Sequence, residues 1–325
     1  MKLPRRNFLH LAAGAAATTT VSRVARAQAY PSRPVHWIVG YTPGGGNDIF
    51  ARLMGQWLQA QLGQPFVIEN RPGAGSNIAT EAVVNARPDG YTILLANFAN
   101  ASNATLYEKL NFNFIRDIVP VAGIVRVPNI MLVNQSLPVK TVPEFIAYAK
   151  ANPGKMSMAS AGIGSTGHLA GELLKMMAGV DFLHVPYRGN APALTDLLSG
   201  QVQILFASLP SSIEYVRTGK ARGLAVTSAV RAATEPDLPA VAEFVAGYEV
   251  SSWYGIGAPR NTPAEIVETL NKAVNAGLAD PKVKKQLDDQ GGIEMAGTPA
   301  DFGKLIADET EKWAKVIKFA GIKPQ

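Results

Sequence analysis

The chain has 325 residues, no Cys, four His and a formal net charge of +6, from 31 Lys and Arg against 25 Asp and Glu. The lack of Cys excludes disulfides, thiolate metal sites and thiol nucleophiles. Five of the basic residues and none of the acidic ones lie in the first 29 positions, leaving 26 against 25 beyond them, so no basic patch argues for a nucleic-acid partner.

Residues Met1 to Ala29 read as an export signal. Lys2, Arg5 and Arg6 precede a mild apolar run, Phe8 to Ala17, and Ala27-Gln28-Ala29 supplies small residues that place cleavage after Ala29. Arg5-Arg6-Asn7-Phe8-Leu9 is twin-arginine-like, with Pro4 and His10 as departures, and a general secretory signal is the competing route. The apolar run is shorter than the roughly 20 residues a membrane anchor needs. The expected location is periplasmic, and the remaining length suits two lobes, each with its own core.

From Tyr30 onward, short strand patterns alternate with helical ones. Val35 to Val39 reads as a strand and is followed by Tyr41-Thr42-Pro43-Gly44-Gly45-Gly46-Asn47-Asp48, which runs into a helix over Ile49 to Leu62. A strand, a glycine turn and a helix leave backbone N–H groups unpaired at the positive end of the helix dipole, which is an anion-binding device. Tyr41, Gly44, Gly45, Gly46 and Asn47 are the candidate contacts here, with Asp48 as a cap and Arg52 either its partner or a ligand contact. A strand at Phe66 to Ile68, a turn at Glu69 to Ser76, a helix at Asn77 to Asn85 and a turn at Arg87 to Tyr91 come next. The strand Thr92 to Ala96 then delivers Asn97 to the same edge.

The apolar stretch Val119 to Val133 reads as a crossing between lobes, and Val142 to Ala151 as a helix. A second glycine turn joins the strand Met156 to Ala159 to a helix over Leu169 to Met177. It presents Ser160, Gly162, Gly164, Ser165, Thr166 and His168 as candidate contacts. Gly162-Ile163-Gly164-Ser165-Thr166-Gly167 is also a literal G-x-G-x-x-G with Asp181 at about the spacing of a ribose-binding acid, which raises a dinucleotide site as a rival. Against that rival, the turn is not the first of its chain and Asp181 opens the next strand rather than ending it. Ser165 lacks the surroundings of a hydrolase nucleophile, since Ile163 stands where a glycine belongs.

The strand Phe182 to Val185 leads to Tyr187 and Arg188, a phenol and a guanidinium that could meet a carboxylate. A helix at Pro192 to Leu198, a strand at Ile204 to Ala207 ending on Ser208, a helix at Ile213 to Arg217 and a strand at Leu224 to Thr227 follow. Val250 to Ala258 is the second crossing, and Pro263 to Phe319 is helical with prolines near the helix starts, packing back on the first lobe. The expected fold is α/β with mainly parallel sheets and a cleft between lobes. Residues 30–127 and 251–325 form one lobe and 128–250 the other. Trp37, Phe98 and Tyr187 either shape an aromatic-tolerant pocket or belong to the core.

The whole of this stretch resembles the Bug-type extracytoplasmic solute receptors, the binding components of tripartite tricarboxylate transporters. The likeness is carried by YTPGGGNDIFAR at Tyr41 to Arg52, ENRPGAGSNIA at Glu69 to Ala79, PDGYTILLA at Pro88 to Ala96, GIGSTGHLAGELL at Gly162 to Leu174 and VPYRGNAPALTDLLSGQV at Val185 to Val202. Ser76, where that family often has Gly, is a departure. The resemblance implies a two-lobed periplasmic-binding-protein fold, type II-like, that closes on a small organic carboxylate with the two glycine turns. It also implies delivery to membrane permease subunits, with no enzymatic activity, cofactor or metal. The competing functions are an exported NAD(P)-dependent oxidoreductase and a carboxylate sensor acting on a two-component kinase.

Overall fold

The computed structural model describes residues 30–187 and 189–322. The export signal read at residues 1–29 and the guanidinium of Arg188 lie outside them.

Ten strands form one hydrogen-bonded network, with eleven α-helices among the described residues. The strands are β1 (Val35–Val39), β2 (Phe66–Asn70), β3 (Thr92–Asn97), β4 (Ile118–Val133), β5 (Ser157–Ser160), β6 (Leu183–Pro186), β7 (Ile204–Ser208), β8 (Arg222–Val226), β9 (Ser251–Pro259) and β10 (Ile293–Glu294). The helices are α1 (Gly46–Leu62), α2 (Asn77–Val84), α3 (Phe98–Leu106), α4 (Phe114–Asp117), α5 (Val142–Ala151), α6 (Thr166–Ala178), α7 (Asn190–Ser199), α8 (Leu209–Arg217), α9 (Ala264–Ala279), α10 (Pro281–Asp288) and α11 (Pro299–Phe319).

Local chemistry explains the main elements. β1 is β-branched and aromatic, and every residue but His36 is buried, as a strand covered on both faces requires. α1 buries Phe50, Ala51, Met54 and Leu58, a single face at helical spacing, and ends on Gly63 at φ 73°. α10 and α11 begin with proline in the first turn behind capping side chains of Asp280 and Thr298.

The outer pairs β1·β2, β1·β3, β5·β6 and β5·β7 are parallel, as the alternation of strands and helices implies. The central pairs are antiparallel: β3·β9, β4·β9, β4·β7 and β4·β8. The expectation of mainly parallel sheets therefore holds for the flanks and not for the centre, because β4 and β9, which hold the stretches read as crossings, run in opposite directions. β4 pairs with β9 as far as Pro128↔Ser251 and with β7 from Asn129↔Ser208 onward. It thus leaves one sheet and enters the other within two residues.

Thr227 fastens this point. Its hydroxyl accepts from Asn129 N–H at 2.8 Å and donates to the Val250 carbonyl at 2.6 Å, while its own N–H donates to the Asn129 carbonyl at 2.9 Å. One buried cluster lies wholly in the first lobe around Trp37, Met54 and Ile256, and another wholly in the second around Leu132, Leu197 and Leu205. A third runs through both, from Ile38 and Leu94 by way of Trp313 to Phe145 and Phe182. α11 packs on α3 as expected for the first lobe, but also on α6 of the second.

Candidate functional site

Five helices begin at one cavity of about 250 Å³ between the lobes. Gly46 and Asn47 open α1 there, Phe98 and Ala99 open α3, Thr166 and Gly167 open α6, Asn190 opens α7, and Ser208 precedes α8. Helix N-termini carry partial positive charge and unpaired N–H groups, each favouring an anion by about 0.3–1 kcal/mol. α1, α7 and α8 have no side-chain cap, so their first-turn donors are not taken up locally. α3 and α6 are capped by Asn97 and Ser165.

The remaining wall is polar and neutral among the described residues: Tyr41, Asn129, Ser252 and Tyr254, with Phe206 supplying apolar surface. Burial pushes the Tyr41 phenol up and that of Tyr254 to about 12, so both stay protonated and can donate. Thr166 and Ser252 share a hydroxyl hydrogen bond at 3.2 Å across the two lobes. A second cavity of about 160 Å³ adjoins the first along Tyr41, Gly164 and Ser165 and extends toward Asn103, Leu106 and Tyr107.

The first glycine turn is braced by charge. Asp48 accepts from Gly44 N–H at 3.0 Å, from Arg52 Nε at 2.9 Å and from Asn70 Nδ2 at 3.1 Å. The Arg52 guanidinium is the main cause holding the Asp48 carboxyl below its ordinary value. Asp48 is therefore a brace, and Arg52 is its partner.

The second turn is braced by neutral groups. Gly164 N–H donates to His168 Nδ1 at 3.1 Å, Gly162 N–H donates to Ser160 Oγ at 3.2 Å, and Ser160 Oγ meets His184 Nε2 at 2.7 Å. The two imidazoles stack with centroids 3.7 Å apart. Burial above all, with Lys175 nearby, holds His168 down at about 3 and His184 at about 4. Both rings stay neutral, as an accepting Nδ1 on His168 requires.

Of the residues singled out from sequence, Tyr41, Gly46, Asn47, Asn97, Gly164, Ser165, Thr166 and Ser208 line the main cavity, and Gly162 lines its neighbour. Others are placed elsewhere. Gly44 and Gly45 form the exposed tip of the first turn, outside the lining, because the chain must swing out before α1 can start at Gly46. Ser160 and His168 are buried beneath the second turn, where their side chains hold its backbone. Tyr187 turns away and donates to Asp196 Oδ2 at 2.5 Å.

Asn129, Asn190, Phe206, Ser252 and Tyr254 are lining residues that the sequence reading missed. Asn129 and Ser252 carry no signal in the sequence beyond being polar residues inside apolar stretches. The G-x-G-x-x-G has a packing explanation: a Cβ at Gly167 would lie 2.2 Å from the Phe206 carbonyl oxygen, so only glycine lets α6 sit against β7. Asp181 is largely exposed and pairs with Lys175 at 3.6 Å, as a surface group does.

The family model described as "Tripartite tricarboxylate transporter family receptor" matches residues 50–322. Protein BugT of Bordetella pertussis is 35% identical over 312 residues, covering 94% of this chain and 95% of its own. An R. palustris protein solved with adipate superposes with a TM-score of 0.81 at 40% identity, covering 91% of this chain and 100% of its own. The periplasmic binding protein BugD superposes with a TM-score of 0.77 at 36% identity and the same coverage. With the glycine turns, the divided sheet and the cavity between them, these matches establish that the chain belongs to the receptors of the tripartite tricarboxylate transporter family.

Proposed function

We propose that this chain is a periplasmic receptor that captures a small organic carboxylate between its lobes and delivers it to the permease subunits of a tripartite tricarboxylate-type transporter. The observation that carries the reading is the convergence of five helix N-termini on one cavity whose described lining is neutral and rich in donors. A carboxylate offers about four acceptor sites, and hydrogen bonds to a charged group contribute about 1.5–3 kcal/mol each. Three uncapped helix starts with a few such bonds reach the roughly −8 kcal/mol of a micromolar complex. The adipate bound by the R. palustris relative supports the ligand class.

The proposed lobes divide at 127/128 and 250/251, beside the point where β4 passes from β9 at Pro128 to β7 at Asn129 and where β9 begins. Closure bends the chain there, favoured by tighter ligand binding in the closed form. Export follows the signal-like segment Met1 to Ala29.

The test is a thermal-shift screen of Tyr30 to Gln325 against small carboxylates with NAD and NADP included. A ligand at about a hundred times its Kd adds about 2.7 kcal/mol. An upward shift with an acid and none with the nucleotides is expected. A shift with a nucleotide alone overturns the reading in favour of an oxidoreductase.

A further inference from the structure

Four successive residues between β2 and α2 have positive φ: Gly73 at 134°, Ala74 at 45°, Gly75 at 59° and Ser76 at 79°. Ala74 and Ser76 are L residues in a region such residues seldom occupy, and strain of this kind persists only where the surroundings hold it in place. Ala74 is exposed, whereas Ser76 is wholly buried. The strain at Ser76 is therefore imposed from inside.

What encloses Ser76 is the outer side of the cavity wall. A Cβ on Gly40 would lie 2.0 Å from Ser76 Oγ, so the residue before Tyr41 rests directly on that hydroxyl. On its other side Ser76 Oγ accepts from Asn97 Nδ2 at 3.4 Å, and the oxygen of the same amide caps α3 by accepting from Ala99 N–H at 3.0 Å. Asn100 and Asn103 extend the grip from the same face of α3, where a spacing of three places them. Asn100 Nδ2 donates to Thr80 Oγ1 at 2.8 Å, and that hydroxyl donates to the Ser76 carbonyl at 3.0 Å. Asn103 Nδ2 donates to the Gly75 carbonyl at 2.7 Å.

Tyr41, Asn97 and Ala99 line the cavity, and Ser76 stands behind them, outside the lining. Glycine would adopt this φ without strain. What serine adds there is a hydroxyl between two segments that meet the cavity.

We propose that Ser76 is a positioning residue for ligand capture: its hydroxyl wedges the end of β1 against the Asn97 cap and fixes the first glycine turn and the start of α3 in one mutual pose. The strained turn is kept because it delivers that hydroxyl. This rests on the carboxylate-receptor reading above.

The test compares Ser76→Gly, which removes both the wedge and the strain, with Ser76→Ala, which removes the oxygen and keeps the strain. Titration calorimetry with mono- and dicarboxylates of four to six carbons gives the affinities. Unliganded melting temperatures and the amide exchange of Ala99 are read on the same proteins. Ser76→Gly is expected to weaken every acid that the wild type binds by about fivefold or more, without reordering them, and Ser76→Ala to weaken them by a smaller factor. Ser76→Gly is nonetheless expected to melt above Ser76→Ala, because only glycine relieves the left-handed backbone. Ala99 should exchange faster in both variants, as its cap is loosened.

A role in packing alone would make affinity and melting temperature fall together, with Ser76→Gly the lower in both. That result, or wild-type affinity in both variants, overturns the proposal. If the wild type binds none of the acids, the receptor reading fails. The exchange of Ala99 then decides the wedge by itself, and an unchanged rate overturns that as well.

Discussion

The two glycine turns do the same job with opposite materials. The first is held by an ionised carboxylate, a guanidinium and an amide, and its tip has room: a Cβ on Gly45 would meet nothing within 4 Å, although one on Gly46 would press on the hydroxyl of Tyr254. The second is held by two neutral imidazoles and hydroxyls and has none: a Cβ on Gly164 would approach Leu106 across the cleft, and one on Gly167 would strike backbone. Similar glycine patterns thus conceal different tolerances. The second turn should be the more fragile in shape and the more sensitive to mild acid.

The largest effect of a single substitution should come from steric tests of this contrast. Gly167→Ala forces a Cβ against a carbonyl oxygen and is expected to lower stability by about 3 kcal/mol, while Gly45→Ala meets nothing within 4 Å and should cost less than about 1 kcal/mol. Urea denaturation of the pair reads the difference, and equal losses would break the comparison. Next is the charged brace. Asp48→Ala leaves Arg52, Asn70 and Gly44 N–H without their shared acceptor, for an expected loss of about 2 kcal/mol at neutral pH by the same measurement.

The most discriminating test is the pH profile. Unfolded histidine titrates near about 6.5, whereas burial holds His168 at about 3 and His184 at about 4 in the folded chain. Between those values the unfolded state binds protons that the folded state refuses. Stability should therefore fall as pH drops from about 6.5 toward 4, with a slope of up to about 1.4 kcal/mol per pH unit for each histidine. Asp48 has a lowered carboxyl, so its contribution is complete above its unfolded value of about 3.9 and is lost only below it. His184→Asn should flatten the slope between pH 6.5 and 4, and an unchanged slope would remove the imidazoles from the account.

Both turns could be read from sequence because their signal is local: glycines at a strand-to-helix junction report the same backbone wherever it folds. The flanking parallel strands were legible for the same reason. The wall of the cavity was not. Asn129 and Ser252 come to it through the pairing of β4 with β7 and of β9 with β4, between segments that lie 70 or more positions apart, which no local pattern encodes. His168 shows the converse. Its place in the first turn of α6 was evident, but whether the ring faces ligand or supports the backbone depends on His184, brought alongside by β6. α7 escaped as an N-terminus facing the cavity because Gly189 offers no side chain to mark it, whereas the edge at α8 was marked by Ser208.

Thr227 joins both crossings at one level through a single hydroxyl and its own peptide. Two separate straps would let the halves slide and shear past each other as well as rotate. A shared pin at the second lobe's end of both stretches would oppose sliding and leave rotation, so that the closure proposed above would run along one arc.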